Sequence, residues 1–166
     1  MKRLLLTVVY TFVCAVSATA FAKDPVAEII ELENRMEAMY NSEAFGKNPA
    51  VALEYFDGSK DVHMFDVMLP GEFVGDEFRK HMIELGNMAT GKVKFLNYRV
   101  QADEKLAFVS YYQHYVGTTK NGKPFDMMLA TTDCWKKIKG KWLIVHEHAS
   151  LPVDQATFVS MFLPKK

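Results

Sequence analysis

The sequence predicts an α+β domain, in which helices come first and a curved antiparallel sheet follows. Between residues 25 and 88 the apolar residues recur at helical spacing, and after Thr90-Gly91 they alternate with polar residues at a period of two. Between two alternating segments lies Asn121-Gly122, a dipeptide typical of a tight β-hairpin. Helices followed by hairpin-connected strands are typical of the α+β class, and a curved sheet closed by a long helix forms a cone with a pocket.

The helical part is predicted to contain three helices and one short strand. Asp24-Pro25 is a suitable cap and first-turn pair for the first helix, Asn48-Pro49 restarts a shorter one, and Asp76 can cap the third. Leu69-Pro70-Gly71 breaks the strand. We expect helices at residues 25–44, 49–56 and 76–88, and the strand at residues 62–68.

The second half is predicted to be a meander of four long antiparallel strands. No repeat, low-complexity segment or interdomain linker interrupts it, so one domain is expected. We expect these strands at residues 93–101, 106–118, 125–137 and 141–150.

The first 22 residues are predicted to be an export signal. Lys2 and Arg3 give a basic start, a mostly apolar run spans residues 4–16, and two small-x-small cleavage sites follow. We favour cleavage after Ala22, because the run is shorter than the roughly 20 residues that span a bilayer. An uncleaved membrane anchor is the alternative. The expected product, residues 23–166, is periplasmic or secreted, without stable membrane insertion.

The charge pattern predicts no nucleic-acid partner. The chain has 20 basic and 20 acidic residues, and cleavage removes Lys2 and Arg3, which leaves a net charge of −2. The lysines are scattered, apart from a short group at residues 136–141 that is typical of a solvated turn. Cys14 leaves with the signal, so Cys134 has no internal disulfide partner. We expect a buried thiol there, with pairing between subunits as the alternative.

The last predicted strand carries the clearest functional signal. Because side chains alternate along a strand, one face of it should carry two histidines, a serine and two large apolar residues. Such a face is unusual for plain core or plain surface, and it indicates the wall of a partly polar cavity. The residues are Trp142, Ile144, His146, His148 and Ser150.

Three stretches resemble the nuclear transport factor 2-like superfamily, in its SnoaL-like and ketosteroid isomerase-like bacterial branch. They are residues 65–75 (FDVMLPGEFVG), 117–124 (GTTKNGKP) and 140–152 (GKWLIVHEHASLP). The last also resembles the association (hub) domain of calcium/calmodulin-dependent protein kinase II, which shares the pattern W-x-x-V-H-x-H-x-S. The resemblance implies a cone-shaped fold with N-terminal helices packed on a curved antiparallel sheet. A homodimer through the sheet is expected, whereas function is open in a superfamily of isomerases, cyclases, dehydratases, binding domains and hubs.

The resemblance makes Asp66 the candidate catalytic base. In ketosteroid isomerases the proton-abstracting aspartate occupies the equivalent strand end, before a proline-containing turn and a glycine that opens the next helix. Here Gly75 follows nine residues after Asp66. A carboxylate in an apolar pocket has a raised pKa, which suits a general base. The alternative is a structural role, in which Asp66 accepts backbone hydrogen bonds at the turn.

Isomerase chemistry also needs hydrogen-bond donors for a developing enolate, usually a tyrosine and a protonated acid. Tyr40, near the end of the first helix, is the candidate tyrosine. Asp133 falls within one residue of the expected place of the second acid, and one residue reverses the face on a strand. If Ala130 and Thr132 face the cavity, Asp133 points away. Ala130 also stands where many SnoaL-like relatives carry an arginine, which argues against an anionic substrate.

Three interpretations of His146 and His148 remain open. They line the pocket as hydrogen-bonding groups, they tie the strand to neighbouring backbone, or they bind a metal ion together with His114 or Asp66. The resembling families bind no metal at this place, so we prefer pocket histidines and expect neither a metal nor a cofactor.

The expected cavity is mainly apolar. Methionine thioethers fill irregular space and adapt to varied apolar ligands. His114 shares a face with Tyr112 and either completes the polar lining or lies at a dimer face. The predicted lining residues are Tyr40, Met64, Tyr112, His114, Met128, Thr132, Trp142, His146 and His148.

Three functions follow from these predictions. We rank first the binding of a small, largely apolar ligand in the cavity, without established catalysis. The alternative is an isomerase- or cyclase-like enzyme that acts on a small carbonyl compound with Asp66 as the general base. A second alternative is an oligomerisation module that resembles the kinase hub.

Overall fold

The computed structural model describes residues 23–68 and 71–161. The predicted export signal lies outside these residues. The described chain has helices followed by a six-stranded mixed sheet, so the predicted α+β class is confirmed. None of the helices in these ranges is long and apolar enough to cross a membrane.

The N-terminal half forms two long helices and two short ones. Asp24 caps the first helix as predicted, because its Oδ1 accepts from the Val26 N–H at 3.1 Å. The single helix predicted for residues 25–44 is divided, since Asn41 ends the first helix and Ser42 caps the second. The elements are α1 (Pro25–Tyr40), α2 (Glu43–Lys47), a 3-10 helix (Pro49–Tyr55), α3 (Gly75–Met88) and, after the sheet, α4 (Gln155–Ser160).

The predicted strand at residues 62–68 is shorter than expected. Only β1 (His63–Phe65) is a strand, and it pairs with β2 (Glu72–Val74), which the sequence analysis did not predict. The predicted Asp76 cap is wrong, because α3 begins at Gly75 and has no side-chain cap. Gly75 has φ +55°, a left-handed conformation that favours glycine.

The four long strands follow the predicted pattern closely, as β3 (Ala89–Ala102), β4 (Leu106–Thr119), β5 (Pro124–Ile138) and β6 (Lys141–Ser150). They form the antiparallel meander, and the sheet order is β2-β1-β6-β5-β4-β3. However, β1 pairs with β6 in parallel, so the sheet is mixed and not purely antiparallel.

The sheet has an inner face, which packs against the helices, and an outer face. The core lies between the inner face and the apolar sides of α1 and α3. Trp135 and Ile144 of the sheet, Ile29 of α1 and Phe78 of α3 are all fully buried there.

A β-bulge in β6 decides which residues reach the inner face. Cys134 pairs with His146, but Trp135 pairs with Ile144, so Val145 is an extra residue on β6. Before the bulge Trp142 and Ile144 are buried, and after it the buried residues are Glu147 and Ala149. The alternation therefore changes phase within the strand.

Candidate functional site

Three acidic side chains lie buried on the inner side of the sheet, and we call them the acid cluster: Glu33, Asp133 and Glu147. They come from α1, β5 and β6, and their residues are 0%, 0% and 5% exposed. The Trp135 indole N–H donates to Glu33 Oε1 at 2.7 Å. The Tyr111 hydroxyl donates to Asp133 Oδ2 at 2.9 Å. The fold thus places three carboxyl groups where water does not reach them.

Burial shifts the protonation of all three groups. It raises the pKa of Asp133 to about 7, although the hydrogen bond from Tyr111 acts in the opposite direction. Burial, followed by the repulsion from Asp133, raises the pKa of Glu33 and that of Glu147 well above their ordinary range. Burial therefore favours the protonated, neutral form of all three carboxyl groups.

Several polar atoms at the acid cluster lack a hydrogen-bond partner within the described ranges. They include the second oxygens of two acids, Glu33 Oε2 and Asp133 Oδ1, and the hydroxyls of Thr131 and Tyr98. Thr131 is 2% exposed and lies on the same face of β5 as Asp133. No lysine or arginine is buried in the part of the chain that the structure describes. Buried polar atoms normally have partners, so these atoms are suited to a bound group.

Aromatic rings form a wall next to the acid cluster, and we call Tyr40, Phe95, Tyr98 and Tyr111 the aromatic wall. The centroids of the Phe95 and Tyr111 rings are 4.7 Å apart, and those of Tyr98 and Tyr111 are 5.6 Å apart. Tyr40 meets Phe95 at 6.2 Å. Burial, followed by the repulsion from Glu147, Asp133 and Glu33, raises the pKa of the Tyr40 hydroxyl well above its ordinary range. The wall and the acids therefore share one region of the interior.

Asp66, the candidate base, has a buried and fully engaged carboxylate. Its Oδ2 lies 2.5 Å from His81 Nε2 on α3, and its Oδ1 accepts from the Val67 N–H at 2.6 Å. The His81 ring stacks on Phe73, with centroids 3.6 Å apart. The hydrogen bond from the Val67 backbone N–H is the kind expected if Asp66 has a structural role at the turn. Asp66 is also close enough to Glu147 to raise its pKa, so it lies at the edge of the acid cluster. Its catalytic role stays a prediction.

The structure separates the predicted lining residues into two groups. Met64 and Trp142 are buried on the inner face, and Tyr40 of α1 is half-buried against it. The shared face predicted for the last strand is wrong, because the bulge at Val145 turns the residues after it over. The lining residues that lie on the outer face are Tyr112, His114, Met128, Thr132, His146 and His148.

The sequence analysis left the face of Asp133 conditional on that of Thr132, and the structure places the two residues on opposite faces. Thr131, Asp133 and Trp135 are buried on the inner face of β5, whereas Thr132 lies on the outer face. Glu33 was missed altogether. A signal for it exists, since Glu33 follows the apolar Ile29 by four residues and precedes Met36 by three, which places an acid on the apolar stripe of α1.

The outer face carries a row of exposed apolar side chains. Phe65, Phe108, Tyr112, Val116 and Met128, from β1, β4 and β5, are 38–45% exposed. An open groove of about 700 Å³ crosses four strands of this face, and its lining includes Arg99, Ser110, Tyr112, Thr132, His148 and Ser150.

The histidines of the outer face form a ring cluster. The rings of His63 and His146 are 4.3 Å apart, and Phe65 lies beside His146 and His148. Burial, followed by the charge of His63, lowers the pKa of His146. His114 pairs instead with Asp126, at 2.7 Å. Within residues 23–68 and 71–161, no three side chains of His, Cys, Asp or Glu are arranged to hold a metal ion.

The fold is similar to that of several solved structures. A nuclear transport factor 2-like protein of unknown function from Pseudomonas putida KT2440 is 20% identical, and the match covers 80% of this chain and 89% of that one with a TM-score of 0.62. A protein described as a calcium/calmodulin dependent protein kinase II association domain, from Xanthomonas campestris, is 21% identical over 76% and 87% of the chains, with a TM-score of 0.62. A protein described as a ketosteroid isomerase, from Parabacteroides distasonis ATCC 8503, is 18% identical over 83% and 95%, with a TM-score of 0.59.

These similarities confirm the predicted nuclear transport factor 2-like fold. No curated protein matches the chain. The family of the calcium/calmodulin dependent protein kinase II association domain matches residues 27–152, which include every strand of the described sheet and most of α1. The chain therefore belongs to the calcium/calmodulin dependent protein kinase II association domain family, on a nuclear transport factor 2-like fold.

Proposed function

We propose that this protein is a self-associating domain, whose outer sheet face packs against a second copy of the chain. The observation that carries the proposal is the row of exposed apolar side chains on β1, β4 and β5. Exposed apolar side chains grouped on one face of a fold favour an interaction site there. Aromatic residues and methionine are enriched at interfaces, and Phe65, Phe108, Tyr112 and Met128 belong to that set.

The family supports the same proposal. It is named for association, and the Caenorhabditis elegans member with a similar fold is itself an association domain of the kinase. A two-fold interface uses the same patch on both partners, and a sheet with apolar side chains in its middle suits such self-complementary packing. A stable dimer needs about 800 Å² from each partner, which is an area that a broad sheet face can supply.

Charge placed on the outer face should dissociate the assembly. The test variant is F108E/M128E, and the control is Met88→Glu, because Met88 is 48% exposed at the end of α3 and away from that face. Light scattering after size exclusion should show a dimer or larger species for the wild type and the control, and a monomer for the double variant. A monomeric wild type, or a double variant of unchanged mass, would overturn the proposal.

We infer a second function, the binding of a small ligand between the inner face and α1. The observation that favours it is the set of buried polar atoms without partners: Glu33 Oε2, Asp133 Oδ1 and the Thr131 and Tyr98 hydroxyls. The sequence analysis expected a largely apolar ligand. The acid cluster makes the inner wall more polar than that, so the ligand carries polar groups as well.

A thermal-shift panel tests this interior ligand site. A ligand present at about 100 times its Kd adds about 2.7 kcal/mol to the stability, which is a readily measured rise in Tm. The panel contains conjugated ketones, steroids, aromatic acids and short carboxylates. An enone that raises Tm is then assayed for isomerisation. If Asp66→Asn abolishes turnover while its Tm stays within a few degrees of the wild type, the isomerase alternative holds. Binding that tolerates Asp66→Asn supports a ligand-binding role.

We also propose that the protein is exported and that residues 1–22 are removed. The basic start, the apolar run and the small residues at positions 18–22 support this proposal. Mass spectrometry of the protein recovered from the periplasm or the medium should show Lys23 as the first residue. Recovery of the full-length chain from the cytoplasm would contradict it.

A further inference from the structure

We propose that the acid cluster and the aromatic wall together bind a small organic ammonium ion. The proposal rests on the interior ligand site proposed above and assigns the chemical class of its ligand. Glu33, Asp133 and Glu147 supply the negative charge, and the rings supply the faces on which the cation lies.

The first argument is charge. Three acidic side chains meet inside the fold, and every lysine and arginine of the described ranges lies at least partly exposed. Burying an ionised carboxylate without a counter-charge is costly. Protons offset that cost when the site is empty, and an ammonium ion can replace them as the positive charge.

The second argument is hydrogen bonding. Glu33 Oε2 and Asp133 Oδ1 are acceptors without a partner in the described chain, and each belongs to a carboxyl group whose other oxygen is already held by Trp135 or Tyr111. The carboxyl groups are thus fixed in orientation, while one oxygen of each has no partner in the described chain. An ammonium N–H is the donor that pairs best with such an oxygen.

The third argument is independent of the acids. The Thr131 hydroxyl is buried, has no partner among the described residues and lies one position along the inner face from Asp133. In the adjacent strand Tyr111 pairs with Thr131, and its ring belongs to the aromatic wall. A neutral hydroxyl in this place is suited to a polar ligand group. A pair of buried acids without a ligand would not require such a hydroxyl beside it.

The aromatic wall adds attraction for the organic part of the cation. Phe95, Tyr98 and Tyr111 have centroids within 4.7–6.5 Å of one another, and Tyr40 extends the group from α1. Ring faces attract ammonium groups through cation–π interactions. Acids with aromatic rings therefore favour an organic cation over an anionic or neutral ligand.

The proton balance makes the proposal specific. The titratable groups at the acid cluster and the aromatic wall come from every element packed there. They are Glu33, Glu37 and Tyr40 on α1, Tyr55 on the 3-10 helix, Tyr98 on β3, Tyr111 on β4, Asp133 on β5 and Glu147 on β6. Beyond them lie Asp66 and His81, which pair with each other. Because the empty cluster holds protons near neutral pH, binding of an ammonium ion displaces a proton, and the affinity rises with pH.

The experiment is calorimetric titration of the mature protein with three ligands of similar shape: benzylammonium, benzyl alcohol and benzoate. Benzylammonium should bind at least tenfold more tightly than the other two. Its affinity should rise on the order of tenfold between pH 5.5 and pH 8, and titrations in buffers of different ionisation enthalpy should show proton release. Methylammonium and tetramethylammonium test the size of the cation.

Two variants localise the effect. Asp133→Asn and Glu33→Gln remove one negative charge each and keep an acceptor for Tyr111 or Trp135, and each should weaken benzylammonium binding about tenfold or more. The matched control is Asp126→Asn on the same strand, because Asp126 is exposed on β5 and pairs with His114. It should bind as the wild type does.

The outcomes separate the two proposals. Tighter binding of benzyl alcohol or benzoate than of benzylammonium would keep the interior ligand site and overturn the cation. Ammonium binding that survives both inner variants and is lost in the control would place the cation elsewhere and overturn it too. If none of the three ammonium ions binds at millimolar concentration, the cation proposal is wrong, whatever the thermal-shift panel shows.

Discussion

At the scale of the residue, the protein tolerates acids where most proteins place apolar side chains. Asp133 is fully buried, with one oxygen held by Tyr111 and the other without a partner among the described residues. An unpaired buried acceptor costs about 1–3 kcal/mol, and a charge there costs more. Residues that cost stability are expected where a binding or catalytic function requires them.

Asp133→Asn should stabilise the protein at alkaline pH. The amide cannot ionise, and its oxygen still accepts from Tyr111, so the variant avoids the cost of a buried negative charge. We expect a gain of about 1–3 kcal/mol at pH 8 and no gain at pH 4, where the wild-type acid is already neutral. Urea denaturation at both pH values measures this. An equal effect at the two pH values would contradict the ionisation argument.

His81→Phe tests how much the contact between Asp66 and His81 contributes to the stability of the fold. Phenylalanine can keep the stack on Phe73, but the buried Asp66 Oδ2 loses its partner. We expect a loss of about 1–3 kcal/mol of stability. In a double-mutant cycle with Asp66→Asn, the two changes should be non-additive because the residues are in contact. Additive losses would show that the pair contributes nothing as a pair.

At the scale of the element, the strands set the site through their register. The bulge at Val145 moves Glu147 to the inner face and His146 and His148 to the outer face. A second irregularity, between Leu96 and Arg99 on β3, contains Asn97 with φ +60° and Tyr98 of the aromatic wall. Each face of this sheet therefore depends on where a strand is interrupted.

Gly117→Ala should destabilise the hairpin of β3 and β4. A Cβ at Gly117 would lie 2.3 Å from the Thr90 carbonyl oxygen, which is backbone and cannot turn away. We expect a loss of about 1–3 kcal/mol. The matched control is Gly46→Ala in α2, where a Cβ meets nothing within 4 Å and the helix gains about 0.5–1 kcal/mol. Thermal unfolding measures both, and equal Tm values would contradict the steric argument.

At the scale of the whole molecule, the two faces of one sheet have different proposed tasks. The inner face buries acids and rings against α1, and the outer face exposes apolar side chains with the histidine cluster. Assembly through the outer face leaves the inner site within each protomer. Binding and association can thus be tested with separate variants.

The wild type should lose stability as the pH rises from 5 to 8. The folded-state pKa of Asp133, about 7, lies above its ordinary value of 3.8. The protonated Asp133 therefore contributes fully to the free energy of unfolding below about pH 4, and this contribution is lost as the pH rises through 7. Glu33 and Glu147 shift in the same direction. His146 acts in the opposite direction. Because its pKa in the folded chain is lowered from the ordinary value of 6.5, its protonation destabilises the fold as the pH falls, but that residue is only half-buried. Urea midpoints that increase from pH 5 to pH 8 would contradict the expectation.

The sequence by itself determined the class of fold, the order of helices and sheet, and the four long strands. Period-two alternation, the cap at Asp24 and the Asn121-Gly122 turn are local signals, and the local backbone obeys them. The resemblance of residues 65–75, 117–124 and 140–152 also led to the right fold. These signals depend only on residues close together in the sequence, so they can be read from one sequence alone.

Only the tertiary structure decided which side chains meet. Strict alternation placed His146 and His148 beside Trp142, but one extra residue at Val145 reverses every side chain after it. The meeting of Glu33 with Asp133 joins residues a hundred positions apart, and no local pattern encodes that distance. Register and long-range packing arise from the whole sheet closing on α1, so the acid cluster became visible only in the folded chain.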